Sequence, residues 1–329
     1  MKKRYLVVGI VLLFIFMSFA PSTAVDNVKC SSYPLSKKSV IIVDDEGDGD
    51  YTSIKEAVNN ANPDDTIEVY SGTYYECGIE IYTENVTLKG IPYELGNGSD
   101  TGKPFINGEG KDHVIEIKSQ RITIDNFRIE NEGGTGAYGV IGIWRGADNC
   151  LVSHNDISHS IMGCIGCSSD NNSFIKNNIS HSAIRQGIVL GGEYNIVSGN
   201  IITDAETGIF LWDSNHNTIT GNKIMNCSDF GIDVAGSYNK IIGNHLEDNN
   251  IGVQIWDFFN SVKCNNFINN ELHAQFIYGI PILQRLTNIW FGNYWDRPRL
   301  FPYPILGVLV LLPIIIQFDW RPALKPYEI

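Results

Sequence analysis

The feature that most constrains the fold is an asparagine that returns about every 22 residues. Six members of this series stand at intervals of 22, 23, 22, 22 and 21 residues, and an apolar residue follows each of them two positions later. They are Asn155, Asn177, Asn200, Asn222, Asn244 and Asn265. A unit of this length cannot bury its own apolar face, so it must stack on copies of itself in a solenoid.

Two further signals recur in phase with the first. A second asparagine series precedes it, at Asn149, Asn172, Asn195, Asn217, Asn239 and Asn260. A glycine followed by alternating apolar residues also recurs, as in Gly208-Ile209-Phe210-Leu211 and Gly252-Val253-Gln254-Ile255. Alternation with a period of two is typical of strands, and the Gly, Asn, Asp and Ser between them are typical of turns. The pattern predicts an all-β fold, a right-handed single-stranded parallel β-helix of about nine rungs over residues 66–280.

We expect the asparagines of the first series to be structural. Parallel stacking places equivalent residues about 4.8 Å apart, so their amides can hydrogen-bond to one another along the stack. Asparagine also tolerates the left-handed backbone conformation that a tight corner needs.

The two ends of the chain differ from the repeats. Residues 1–24 combine a basic start, a short apolar segment and small residues at the end, which is typical of a secretory signal peptide. Residues 25–65 should hold a strand and a short capping helix over 53–61, with Thr52 or Ser53 as its N-cap. Residues 281–329 should form a C-terminal capping tail. The apolar segment Leu306–Ile316 is expected to pack as a flap on the solenoid, with peripheral membrane contact as the alternative.

The charge of the chain bears on its partners. Residues 1–24 carry three cations and no acids, so cleavage would change the formal net charge from -13 to -16. An acidic surface argues against nucleic acid as a partner, because that affinity comes mainly from Lys and Arg contacts to phosphate. The predicted signal peptide makes us expect a secreted, extracellular or cell-surface protein, and an acidic surface suits solubility or cation binding there.

Three parts of the chain resemble a known family. The strings Val43-Asp44-Asp45 and Gly72-Thr73-Tyr74-Tyr75-Glu76 resemble the N-terminal cap of pectin-lyase-like β-helices. The repeats resemble the NosD-type, or CASH, branch of that superfamily, and Gly292-Asn293-Tyr294-Trp295-Asp296 is similar to the segment that closes such helices. The resemblance covers nearly the whole mature chain. It implies the fold but several functions, since the branch includes copper-enzyme maturation proteins, surface proteins and carbohydrate-active enzymes.

One outward face of the predicted solenoid has the composition of a sugar-binding surface. Glycines leave the backbone bare in its middle, and tryptophans recur beside them at one register. Aromatic faces stack on sugar rings, and polar groups bond to the hydroxyls. This face predicts binding of a polysaccharide or a cell-surface glycan, through Trp144, Trp212, Trp256, Phe210, Gln254 and Arg145. The alternative is that the tryptophans shield strand edges or pack under loops.

The sequence leaves open whether the protein is an enzyme. The candidate carboxylates, for a polysaccharide lyase, hydrolase or epimerase, are Asp213, Asp233, Asp257 and Glu116. Glycoside hydrolysis needs two carboxylates about 5–9.5 Å apart, and the first three candidates fall on neighbouring rungs. However, the paired aspartates and the Gly-His-Gly motif of polygalacturonase-like relatives are missing.

Two sets of residues are candidates for a metal ion. His159 and His181 repeat in an Ile-Ser-His-Ser motif with Asp204 next in the same column, so they could share a metal ion, copper or zinc. We favour the alternative that this column is a polar turn. The acidic run after Val43 is a candidate for calcium, but it lacks the spacing of a calcium-binding loop. A solvated turn is expected there instead, at Asp44, Asp45, Glu46, Asp48 and Asp50.

Three functions therefore compete. The first is polysaccharide binding on the outward face, with processing left open. The second is NosD-like copper binding or maturation, and the third is a structural cell-surface role without activity.

Overall fold

A computed structural model describes residues 39–96, 98–111, 113–132, 139–160, 163–278, 287–309 and 315–329. The predicted signal peptide lies outside these residues. The described chain is a parallel β-solenoid whose strands form three columns, called here faces 1, 2 and 3. Nine rungs occupy residues 66–278, as predicted, and the C-terminal tail adds a tenth.

Face 1 contains eleven strands in one sheet, each paired in parallel with the next. They are Val40–Val43, Thr66–Tyr70, Thr87–Ile91, Thr123–Asp125, Leu151–Ser153, Ser173–Ile175, Ile196–Ser198, Thr218–Thr220, Lys240–Ile242, Ser261–Lys263 and Ile289–Phe291. Face 2 follows face 1 in every rung. Its strands are Thr73–Tyr75, Phe105–Asn107, Arg128–Asn131, Asp156–Ser160, the first halves of Asn178–Leu190 and Ile201–Trp212, then Lys223–Met225, His245–Glu247, Asn266–Ile268 and Tyr294–Trp295.

Face 3 completes each rung and carries the predicted ligand-binding surface. Its strands are Ile79–Ile81, Ile115–Ile117, Ile141–Ile143, Ile165–Cys167, the second halves of Asn178–Leu190 and Ile201–Trp212, then Phe230–Ala235, Ile251–Ile255, Leu272–Tyr278 and Tyr303–Leu309. The strand Ile315–Asp319 pairs antiparallel with the last of these. Inward side chains on all three faces are mostly Ile, Val and Leu at or near zero exposure. Full burial of one such side chain contributes about 1.5–3 kcal/mol.

The predicted capping helix is confirmed and spans Ile54–Asn60. Ser53 is the N-cap, and its hydroxyl accepts a hydrogen bond from the Glu56 amide at 3.2 Å. Ile54 is fully buried and joins the core of the solenoid. The carboxylate of Glu76 accepts hydrogen bonds from the amides of Ile54 and Lys55, at 2.9 and 2.8 Å, and so satisfies donors that the first helical turn leaves unpaired.

The first asparagine series forms the predicted ladder, and all six members are buried. At Asn200 the side-chain oxygen accepts hydrogen bonds from the backbone and side-chain amides of Asn177, at 2.9 and 3.0 Å. Its side-chain nitrogen donates to the Phe174 carbonyl at 2.8 Å and to the side-chain oxygen of Asn222 at 2.9 Å. Each amide therefore joins three rungs.

The second series requires one correction. Leu151 pairs with Ser173, so the residue in line with Asn172 is Cys150 and not Asn149. The Cys150 amide donates to the side-chain oxygen of Asn172 at 2.7 Å, as an asparagine amide would at that position. Asn149 has a φ of 60° instead. It occupies the left-handed corner immediately before the ladder, which asparagine tolerates.

The tail closes the C-terminal end of the stack. Asp319 is fully buried and accepts hydrogen bonds from the Asn293 amide at 2.8 Å, the Asn293 side chain at 3.0 Å and the Trp295 indole at 3.1 Å. It thus ends the ladder with acceptors only. The predicted flap pairs with the last rung, with Leu306 in register with Gln275.

Part of the predicted flap, residues 310–314, lies outside the described residues. Ile305 is buried, whereas Leu306 and Ile316 are about half exposed. Contact of these exposed side chains with a membrane remains a prediction. None of the described helices is long and apolar enough to span a membrane.

We predict that Asn200→Leu lowers the free energy of unfolding by about 1–3 kcal/mol, because buried donors and acceptors on the adjoining rungs lose their partner. Chemical denaturation measures this. Lys223→Leu is the control, since it introduces the same side chain at an exposed position one rung on. Equal stability of the two variants would contradict a structural role for the ladder.

Candidate functional site

The outward positions of face 3 align as a single column. Strand pairing places them in register across nine rungs. In order they are Glu80, Glu116, Gly142, Gly166, Val189, Phe210, Asp233, Gln254 and Gln275. The glycines lie toward the middle, with polar side chains toward both ends.

A groove of about 500 Å³ lies over the middle of this column. Gly166 and Val189 form part of its floor, and Arg145, Arg185 and Trp212 are among the residues that line it. Because glycine has no side chain, a ligand can approach the backbone there closely. We refer to this depression as the groove.

The three tryptophans share a register but not an environment. Trp212 is 66% exposed, lines the groove, and contacts Phe210 edge-to-face with ring centroids 5.7 Å apart. Trp256 donates its indole N–H to Asp233 at 2.8 Å. The ammonium of Lys118 lies 4.3 Å from the centre of the Trp144 ring. Of the three, Trp212 therefore has the geometry of an open stacking platform.

Two arginines give the groove a local positive charge. Arg145 and Arg185 are both exposed, and neither is paired with a carboxylate within the described part of the chain. Asp213 also lines the groove. Guanidinium groups bind carboxylates and sulfates through paired hydrogen bonds.

Arg185 was not among the residues predicted from the sequence to bind a ligand. Three residues separate Ser182 from Gln186, whereas one residue separates Ala205 from Thr207 on the next rung. Arg185 lies in this irregularity of the strand. The 23-residue interval between Asn177 and Asn200 is the available signal, since it marks a longer rung.

The candidate carboxylates have different surroundings. Asp233 is 8% exposed, and burial raises its pKa to about 6, although hydrogen bonds from Trp256 and Gln254 favour its charged form. Partial burial, and then the charge of Asp213, raise the pKa of Asp257. Asp233 lies one strand beyond Phe210 at the edge of the groove.

Glu116 belongs to a separate cluster on the N-terminal side of face 3. It forms an ion pair with Lys118, and its carboxylate lies 3.4 Å from the Nε2 atom of His113. This cluster reaches the predicted ligand-binding surface through Lys118, which contacts Trp144.

His159 and His181 stack as predicted, with ring centroids 5.1 Å apart and planes inclined by 2°. The nitrogen lone pairs lie in these ring planes. A single ion therefore cannot lie in the plane of both rings, which disfavours shared metal binding. The two histidines and Asp204 have φ values of 56°, 55° and 56°, as a column of turn residues would.

Among protein families, the sequence model of the family described as periplasmic copper-binding protein (NosD) matches residues 58–300 of this chain. Comparison with curated proteins gives no match.

Solved structures with similar folds include several carbohydrate-active proteins. XylC in complex with xylose has a TM-score of 0.56 at 13% identity, over 86% of this chain and 73% of that one. A lacto-N-biosidase of family GH136 from Eubacterium ramulus has a TM-score of 0.50 at 12% identity, over 87% and 68%. A PL6 alginate lyase in complex with a trisaccharide has a TM-score of 0.50 at 13% identity, and the match covers 80% of this chain but only 61% of the lyase. At these identities the likeness shows the fold alone.

We predict that Asp233→Asn changes the pH dependence of stability. The folded-state pKa of Asp233 is raised, so the native protein loses stability as pH rises from about 4 through about 6. The asparagine variant does not titrate there. The difference in the free energy of unfolding, variant minus parent, should therefore increase by about 2–3 kcal/mol as pH rises over that range. Denaturation at pH 4 and pH 7.5 measures the effect. Asp248→Asn, at an exposed turn, is the control, and parallel profiles for parent and Asp233→Asn would contradict the prediction.

Proposed function

The chain belongs to the NosD family, and from that premise we propose that its groove binds a polysaccharide that carries acidic groups. The observation that carries the proposal is the combination of an exposed Trp212 with the exposed Arg145 and Arg185 along one groove.

The shape of the groove suits an extended sugar chain. Gly166 leaves the floor open, and the Trp212 ring can stack on the apolar face of a pyranose. The groove lies on stacked parallel strands, so successive rungs offer contacts about 4.8 Å apart along the solenoid axis. A chain lying along this axis would contact several rungs at once.

The charges favour an acidic ligand over a neutral one. The whole chain has a formal net charge of -13, and two cations in one groove are therefore a local exception. Carboxylate or sulfate groups on a sugar would pair with Arg145 and Arg185. The PL6 alginate lyase solved with a trisaccharide has a related solenoid fold, which supports this ligand class without assigning its activity to the present chain.

An extracytoplasmic location fits this function. The matched family is described as periplasmic, and residues 1–24 have the pattern of a secretory signal peptide. Polysaccharides of the cell surface are available on that side of the membrane.

The copper alternative has the family description in its favour. Copper prefers imidazole nitrogen and thiolate sulfur. Among the described residues, the one cluster of three or more metal-ligating side chains consists of carboxylates. Burial raises the pKa of Cys164 and Cys167 to about 12, so copper would have to displace a proton from either thiol. The copper alternative therefore rests on the family description rather than on a cluster of nitrogen and sulfur ligands in the described part of the chain.

We predict that Trp212→Ala weakens binding of an acidic oligosaccharide about ten- to thirtyfold, because stacking on the ring is lost. Stability should fall by less than about 1 kcal/mol, since the side chain is 66% exposed. Calorimetry and thermal melting measure the two effects. Trp320→Ala is the matched control, since Trp320 is 69% exposed and also contacts a phenylalanine two residues earlier. Unaltered binding by Trp212→Ala would contradict the proposed groove.

We predict that Arg145→Gln and Arg185→Gln each weaken binding of uronate oligosaccharides about tenfold and leave binding of neutral ones unchanged. Binding by the parent should also weaken as salt is raised. Arg297→Gln is the control, because Arg297 is exposed in the C-terminal tail and does not line the groove. A glycan array in which the parent binds no sugar would favour the structural surface role instead.

A further inference from the structure

We propose that Asp44, Asp45 and Glu94 bind a calcium ion at the N-terminal end of the solenoid, several rungs from the groove. The proposal rests on the positions of their carboxylate oxygens and is independent of any sugar ligand.

Face 1 brings the three residues together. Asp44 and Asp45 directly follow the strand Val40–Val43, and Glu94 follows the strand Thr87–Ile91. Both of these strands pair with Thr66–Tyr70 in parallel, so their carboxyl ends meet at one edge of the sheet. Residues 50 positions apart in the sequence thus become neighbours.

One oxygen of each carboxylate is held by a backbone amide. Asp44 Oδ2 accepts from the Asp48 amide at 3.0 Å, and Asp45 Oδ2 accepts from the Thr73 amide at 2.9 Å. Glu94 Oε1 accepts from the Leu95 amide at 2.9 Å. These bonds orient the carboxylates before any ligand binds.

The other oxygen of each carboxylate is buried and has no hydrogen-bond partner among the described residues. These atoms are Asp44 Oδ1, Asp45 Oδ1 and Glu94 Oε2. Asp44 as a whole is fully buried, so the solvated turn expected from the sequence is wrong for this residue, although Glu46, Asp48 and Asp50 are exposed. Ligand atoms of the three proposed residues lie within 4.8 Å of one another.

Such an arrangement of anions needs a counter-charge. Buried carboxylates are costly unless they are paired or coordinate a metal. No Lys, Arg or His forms an ion pair with the three residues in the described part of the chain. A divalent cation would neutralise two charges and give all three oxygens a partner.

The donor atoms and their spacing favour calcium. Two oxygens that bind one calcium ion at about 2.3–2.6 Å can be up to about 5 Å apart, so oxygens within 4.8 Å of one another can share a calcium ion. Magnesium demands a stricter octahedron at about 2.0–2.1 Å and gives up its water reluctantly, so a cluster of three protein carboxylates suits calcium better. Copper and zinc prefer nitrogen and sulfur donors, which this cluster lacks among its described members. Water and nearby carboxylates such as Glu46 would complete the coordination.

The test uses the mature chain, stripped with EGTA and then titrated with calcium chloride. Calorimetry should show one site, and calcium at about 1 mM should raise the melting temperature by about 3 °C or more. Magnesium at the same concentration should have a smaller effect.

Glu94→Gln should abolish both the heat and the melting shift, and Asp45→Asn should do the same. Asp100→Asn is the matched control, because it removes an exposed acid that follows Glu94 in the same loop and should retain both effects. In EGTA, Glu94→Gln should melt no lower than the parent, since it relieves repulsion, and this keeps the test valid if Asp44 variants do not fold. The proposal is overturned if the parent shows no calcium response, or if Glu94→Gln binds calcium as tightly as the parent.

Discussion

A buried asparagine has to hydrogen-bond its donors and its acceptor, because each unsatisfied group costs about 1–3 kcal/mol. In this solenoid the requirement is met when every rung supplies an asparagine at the same position, as Asn177, Asn200 and Asn222 do. A rung shifted by one residue would break bonds to both neighbours. The ladder therefore sets the register of the whole stack, and the outward column of face 3 is aligned as a consequence.

The ladder also explains how its ends are built. Inside the stack each amide both donates and accepts, but the last rung has donors and no further asparagine to receive them. Asp319 meets this need, since a carboxylate only accepts. At the other end the Phe127 amide donates to Asn155, and the preceding rungs are held by strand pairing and the capping helix. Closure of the C-terminal end is thus electrostatic as well as apolar.

The repeat was predictable because its spacing is visible in the sequence. Strand register, the turn column of His159 and His181, and the capping helix all follow from local periodicity. The differences among the three tryptophans were not predictable, since they depend on neighbours such as Lys118 and Asp233 from other rungs. Arg185 was missed for a related reason, because it lies where the strand departs from the repeat. Periodicity identifies columns, and departures from it identify candidate sites.

The local distribution of charge also depends on the fold and cannot be read from the composition. Counting residues gives an acidic chain, which by itself says little about any one surface. The fold separates the charges into an arginine-lined groove in the middle of face 3 and a carboxylate cluster at the start of face 1. Because salt screens exposed charges over about 10 Å, each region interacts with ligands according to its local charge. An acidic protein can therefore attract an anionic sugar chain in one place and a cation in another, and rigid stacking keeps the two regions apart.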